Sequence, residues 1–241
     1  TYLIMVIFMI IIDAGHGGWD PGGGSNAYFK EKEINKKISD YQKMRFDELG
    51  IPAKRTRTTD ETLTPSQRIA RIESLGASTS DILISNHVNN AGSGGGEVIY
   101  SLKSSDVLPK QIASELAKTG LPIRNVYQKM GKTGNDFYFI LRNTAPNTSM
   151  IIEYGFANND EDTYRILYNW PEMAESVVKA TANYLNVPYQ KPTNITYIVK
   201  PNDSLYKIAE TYNTTVDKIK DLNGLTSNTI YPSAQLLIPN D

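Results

Sequence analysis

No cysteine occurs among the 241 residues, which removes disulfides, thiolate metal sites and cysteine nucleophiles together. Any metal held by this chain needs imidazole and carboxylate ligands. Histidine is nearly as scarce, with two in the chain. Charge of one sign is not in excess either: 25 Lys and Arg stand against 26 Asp and Glu, a formal net charge of -1. No overall field therefore draws the chain toward nucleic acid or anionic lipid, and neither nucleic acid nor membrane is an expected partner. Long apolar runs are also missing. The run over residues 3–12 falls short of the roughly 18 to 20 residues that span a bilayer. It has neither a basic flank nor a small-residue cleavage site, so no signal peptide is expected, and Met5 or Met9 is a candidate start. The run reads instead as a buried strand.

What is present is an ordinary globular composition, 40% hydrophobic and 21% charged, enough for one substantial core and a small second module. Short apolar runs at 6–12, 82–85, 97–100, 137–141 and 149–153 read as strands, several too uniformly apolar for a one-sided sheet. Helical patterns cover 30–49, 64–75, 106–118 and 171–185, the second opening on Thr64-Pro65-Ser66-Gln67, a capping-box signature. This alternation predicts an α/β fold, a mostly parallel twisted sheet flanked by helices on both faces. The stretch "NVPYQKPTN" has two prolines and no apolar period, as a linker does. The expected division is 1–186, a linker at 187–194, and a small βααβ unit at 195–241.

Both histidines sit just beyond predicted buried strands: His16 follows "MIIIDAG" and His87 follows "DILISN". Ligands of open α/β sheets bind at the carboxyl ends of parallel strands, so both imidazoles are expected at one rim. The alternative for each is a structural loop histidine. Glu153 ends "TSMIIE", where an ionised carboxylate is costly unless it is paired, metal-bound or facing a cleft. It reads as a working acid, with a salt bridge to Arg142 as the competing expectation. Catalytic zinc generally takes three protein ligands, so a third is needed. In the helix over 30–49 the apolar stripe is Ile34, Ile38, Tyr41 and Leu49; Glu31 falls on that inward face, whereas Glu33 points away and can pair with Lys37. Asp13 and Asn89 are candidates to orient the imidazoles. The glycines of "GHGGWDPGGG" allow close approach of backbone to a ligand but lack the order of a phosphate loop, and "AGSGGGE" forms a second glycine-rich rim.

In this order "IIIDAGHGG", "KEKEIN", "SNHVN" and "MIIEYGFANN" resemble the signature segments of zinc-dependent N-acetylmuramoyl-L-alanine amidases, as found in autolysins, sporulation lytic enzymes and phage endolysins. The resemblance spans roughly residues 6–186. Ala14 stands where a proline is common, and Asn86 where an apolar or small residue is usual. By this resemblance His16, Glu31 and His87 hold zinc, Glu153 is the catalytic acid/base, and Arg142 in "ILRNT" matches a family arginine near the site. The C-terminal unit resembles a LysM domain, which binds N-acetylglucosamine-containing glycans; Asn202-Asp203 stands where Gly-Asp is usual. Peptidoglycan is thus the implied partner of both units. A monomer is expected, made in the bacterial cytoplasm and acting on the cell wall after release. The competing expectations are a glycan-cleaving hydrolase that uses two carboxylates, and an inactive wall-binding protein acting through the LysM unit.

Overall fold

The computed structural model describes residues 8–240, and within them the apolar run ends as strand β1 (Ile10–Ala14), buried at every position. Residues 6 and 7 of the expected first strand lie outside the described residues. β1 joins β2 (Ala53–Arg55), β3 (Ile82–Asn89), β4 (Gly96–Tyr100), β5 (Ile123–Gln128) and β6 (Thr148–Phe156) in one sheet ordered β2-β1-β3-β6-β4-β5. Neighbours run parallel except β4 against β6, so the sheet is mixed but mostly parallel.

The two-residue period of a strand sends alternate side chains to two cores. Ile10, Ile12, Ile82, Ile84 and Ile152 pack with Ile34 and Ile38 of helix α1 (Glu31–Glu48), Ile112 of α3 (Val107–Ala117) and Val177 of α6 (Trp170–Tyr184). Ile11, Leu83, Ile99 and Ile151 face the other way, onto Ile72 of α2 (Pro65–Ser74) and Ile140 and Leu141 of α4 (Phe139–Arg142). Helices therefore cover both faces, which is why the central strands tolerate unbroken apolar sequence. The capping box of α2 forms, with Gln67 N donating to Thr64 Oγ1 and Thr64 N to Gln67 Oε1.

Residues 137–141, expected as a strand, turn into α4. Ile140 and Leu141 are adjacent and enter the same core, whereas a strand would send them to opposite sides. β2 and β5 were not expected; both are sheet edges, partly exposed and polar in sequence. Helix α5 (Asp160–Tyr168) was likewise not expected, and it is capped by Asn159, which accepts from Asp162 N.

A buried ion pair closes the end of β1. Asp13, fully buried, accepts from Thr56 Oγ1 and Ser85 Oγ at 2.7 Å and from Arg68 Nη1 at 3.1 Å. Burial alone would raise this carboxyl, but Arg68 and the two hydroxyls bring it below its ordinary value. Asp13 therefore anchors Arg68 rather than an imidazole, and Asn89 donates to Glu97.

The C-terminal unit consists of β7 (Asn194–Ile198), α7 (Leu205–Thr211), α8 (Val216–Asn223) and β8 (Gln235–Pro239), with the two strands antiparallel around Leu205, Ile208, Ile219 and Ile238. Asn202 takes φ 67, a left-handed conformation asparagine tolerates. The stretch before this unit is docked. Val187 and Tyr189 pack on the main core, and buried Arg45 donates to the Gln190 carbonyl at 2.6 Å and to Glu175 Oε2 at 2.9 Å. Tyr189 Oη donates to Glu175 Oε1, and Asn240 Nδ2 to the Pro192 carbonyl.

Two outcomes follow from these buried charges. Asp13→Ala leaves the Arg68 guanidinium without its anion in the interior and should cost about 3–5 kcal/mol of stability in urea unfolding; a loss under 1 kcal/mol would contradict the pairing. Arg45→Ala should raise the rate of proteolytic cutting within residues 187–194 while the main unit stays folded, as limited proteolysis would report.

Candidate metal centre and its cleft

Three segments deliver the centre: the turn after β1, the start of α1, and the end of β3. His16 is the first residue beyond the glycine that follows β1, and its backbone is left-handed at φ 61, a conformation that needs external support. The support is visible. Arg68 Nη2 donates to the His16 carbonyl at 3.2 Å, and Gly17 and Asp20 pair backbone to backbone. Buried Arg57 donates to the carbonyls of Ala14, Gly15 and Lys32, clamping the turn against the first turn of α1.

Glu31 is buried at the first position of α1 and Glu33 is exposed, as the helix-face reading expects. The ion pairs at i,i+4 on this helix are Lys36–Asp40 and Lys43–Asp47; the expected Glu33–Lys37 pair is not among those of the described residues. The Glu31 carboxylate accepts from Gly24 N at 2.7 Å, Val88 N at 3.1 Å and Asn35 Nδ2 at 3.3 Å. Its Oε1 stands 3.0 Å from His87 Nδ1 and 3.3 Å from His16 Nε2. Two glycines make the approach possible: a Cβ on Gly15 would lie 2.2 Å from His87 Cε1, and one on Gly22 would lie 2.3 Å from Glu31 Oε2. No larger residue fits at either place.

The donors of His16, Glu31 and His87 all lie within 4.8 Å of one another, two nitrogens and one carboxylate oxygen able to hold a cation. Burial works against ionising Glu31, yet the two imidazoles hold its carboxyl well below the usual carboxylate range. Burial likewise disfavours a charged His16, but Glu31 and Asp20 outweigh it and push this imidazole up to about 9. Asp20 Oδ2 lies 2.6 Å from His16 Nδ1, which orients the ring, while Asp20 Oδ1 accepts from Gly22 N. Sequence reasoning missed Asp20, although a carboxylate four residues after a candidate ligand, within a glycine turn, was a usable signal.

Glu153 shares the cleft. It lies opposite His87 in the β3–β6 register, and with His16, His87 and Asp20 it lines a cavity whose other walls include Leu63, Tyr138 and Phe139. Among the described residues its buried Oε2 has no hydrogen-bond partner, and burial pushes the carboxyl up to about 7, aided by Glu31 and Glu97 and opposed by both imidazoles. The competing Glu153–Arg142 bridge does not form. Arg142 is exposed, does not line the cleft, and donates to the carbonyls of Asp136 and Phe137 just before Tyr138. It braces the segment carrying Tyr138 rather than reaching the cavity.

The family profile described as N-acetylmuramoyl-L-alanine amidase matches residues 10–186 of this chain. The chain belongs to that family. A LysM domain profile matches residues 197–239. Among relatives of this amidase-family chain, protein YqiI of Bacillus subtilis (strain 168) is 30% identical over 159 residues, covering 65% of this chain and 74% of that one. The N-acetylmuramoyl-L-alanine amidase sle1 of Staphylococcus epidermidis (strain ATCC 35984) is 28% identical over 178 residues, covering 71% of this chain and 44% of its own length. The chain thus spans less than half of that longer relative. The crystal structure of N-acetylmuramoyl-L-alanine amidase from Clostridium difficile 630 superposes with a TM-score of 0.64 at 22% identity, over 76% of this chain and 98% of that one, a likeness of fold. Among the described residues no helix is long and apolar enough to cross a membrane.

A protonated His16 cannot also be a metal ligand, so binding must displace its proton. Zinc titrated into the metal-free chain at pH 7 should release about one proton, read by calorimetry in buffers of different ionisation enthalpy. Binding without proton release would show either that His16 is neutral before zinc arrives or that it is not a ligand, and unchanged zinc affinity in His16→Ala would identify the second case.

Proposed function

We propose that this chain hydrolyses the amide between N-acetylmuramic acid and the L-alanine of the peptidoglycan stem peptide, using zinc held by His16, Glu31 and His87. One observation carries the reading: a buried carboxylate with a partnerless oxygen, Glu153, faces the same cleft as a converging His–Glu–His set. Held by His16, Glu31 and His87, zinc would supply a Lewis acid beside the scissile carbonyl and would lower the pKa of water there from about 15.7 toward roughly 7.

The chain's own residues do the remainder. Glu153, with its carboxyl near neutrality, accepts a proton from the attacking water and delivers it to the departing amine nitrogen, as a positioned acid/base does. Asp20 holds the His16 ring with one nitrogen turned toward Glu31. Leu63 and Phe139 give the cleft an apolar wall beside the charged groups. The LysM unit keeps the chain on the glycan, so the stem peptides of a bound polymer are presented at high local concentration.

The two glutamates separate the roles. Glu31→Ala should lose zinc and activity together. Glu153→Gln should keep zinc and lose on the order of 10²- to 10⁴-fold in rate, measured as release of free L-alanine amino termini from purified wall. Loss of zinc in Glu153→Gln would make Glu153 a ligand instead. Release of reducing ends without amino termini would replace the amidase with a glycan-cleaving enzyme.

A further inference from the structure

β5 meets β4 with an irregularity. Gly96 lies opposite Ile123, but Glu97 lies opposite Asn125, so Arg124 is an extra residue with no partner across the ladder. Bulges of this kind re-aim a side chain and are common beside active sites. The displaced guanidinium sits over the ring of Phe156, 5.1 Å from its centroid, and its Nε lies 3.5 Å from Glu97 Oε1. Phe156 is buried, and Glu97 is itself held by Asn89 Nδ2 at 3.2 Å. Arg124 is 45% exposed, and among the described residues neither of its Nη groups makes a hydrogen bond.

Glu97 is the direct cross-strand neighbour of Glu153. The bulge therefore presents Arg124 on the same rim of the sheet as the candidate acid, two strands away. A guanidinium has two bidentate edges; here Glu97 engages the side of Nε, the aromatic ring supports the plane, and the Nη1–Nη2 edge is left without a hydrogen bond among the described residues of a half-exposed side chain. Nothing in the cleavage chemistry uses this arrangement.

We propose that Arg124 is a specificity-determining residue that binds a carboxylate of the stem peptide, on the peptide side of the scissile amide. A planar fork held by an aromatic and a buried anion is preorganised for a carboxylate, since little side-chain freedom remains to be lost on binding. Two strand spacings amount to about 10 Å. An extended peptide covers about 3.3–3.6 Å per residue, so the carboxylate belongs to the second or third residue of the stem. This inference rests on the amidase reading for the identity of the ligand.

The test uses the full chain carrying Glu153→Gln, with and without Arg124→Gln, and muropeptides bearing either a free carboxylate or the carboxamide at the second or the third stem residue. Equilibrium binding by calorimetry should favour the free acid over the amide at one of these positions by about tenfold or more, the range for a hydrogen bond to a charged group. Arg124→Gln should collapse that ratio toward one. A ratio that Arg124→Gln leaves intact, or the absence of any preference in the Arg124 chain, overturns the proposal. Turnover of the same muropeptides by the zinc-loaded chain with both residues native is read separately. An acid preference that depends on Arg124, found without cleavage of any muropeptide, would overturn the amidase reading and leave the carboxylate site standing.

Discussion

The Glu31 carboxylate is the point on which the rest of the site depends. An ionised carboxylate in the interior is costly unless donors take up its lone pairs, and here two backbone amides, one side-chain amide and two imidazoles converge on it. Those partners come from three separate segments, so satisfying one anion fixes the turn after β1, the end of β3 and the start of α1 relative to one another. Gly15, Gly22, Arg57 and Arg68 all serve that convergence: the glycines let the segments close, and the two guanidiniums tie up the carbonyls that the sharp turn leaves without partners. The left-handed backbone of His16 is a local cost that this network offsets.

The same environment divides two carboxylates into opposite states. Glu31 and Glu153 are both buried, and burial pushes both toward the neutral form. Glu31 is surrounded by donors and stays ionised, whereas Glu153 has an oxygen without a partner and two other carboxylates nearby, and it titrates near neutrality. Separation of this kind is how one fold assigns a permanent anion to one task and a proton carrier to another. Neither state is a property of glutamate as a residue type. Each comes from what the backbone aims at it.

Much of this was legible in the sequence, because the informative residues break strong local patterns. His16, His87 and Glu153 each end an apolar run, and a polar group there needs a reason; Glu31 lies on the face of α1 that Ile34 and Ile38 define. The central strands were legible since both their faces are covered, whereas β2 and β5 were not, since an edge strand has no apolar period to read. The run at 137–141 was misread because five apolar residues suit a strand or a helical turn equally, and only the covering of one sheet face decides. Asp20, Arg57 and Arg68 act through contacts fixed by three-dimensional packing; their charges were visible but their partners were not. Arg142 shows the converse, since its segment reaches the cleft while its own side chain turns back to the chain behind it.

The docked stretch before the LysM unit changes what two linked modules can do. A flexible tether would let the cleft sweep over every stem peptide within its reach, with access set by linker length alone. Here Arg45, Glu175 and Tyr189 hold that stretch, Asn240 straps the unit's last residues to it, and Ile198 of β7 enters the core of the main unit. The LysM unit is then joined to the cleft by a held stretch rather than by a free tether. On the function proposed above, a polymer that repeats its side groups at a regular interval would be offered to the cleft in fewer registers than a free tether would allow, a gauge more than a grazer.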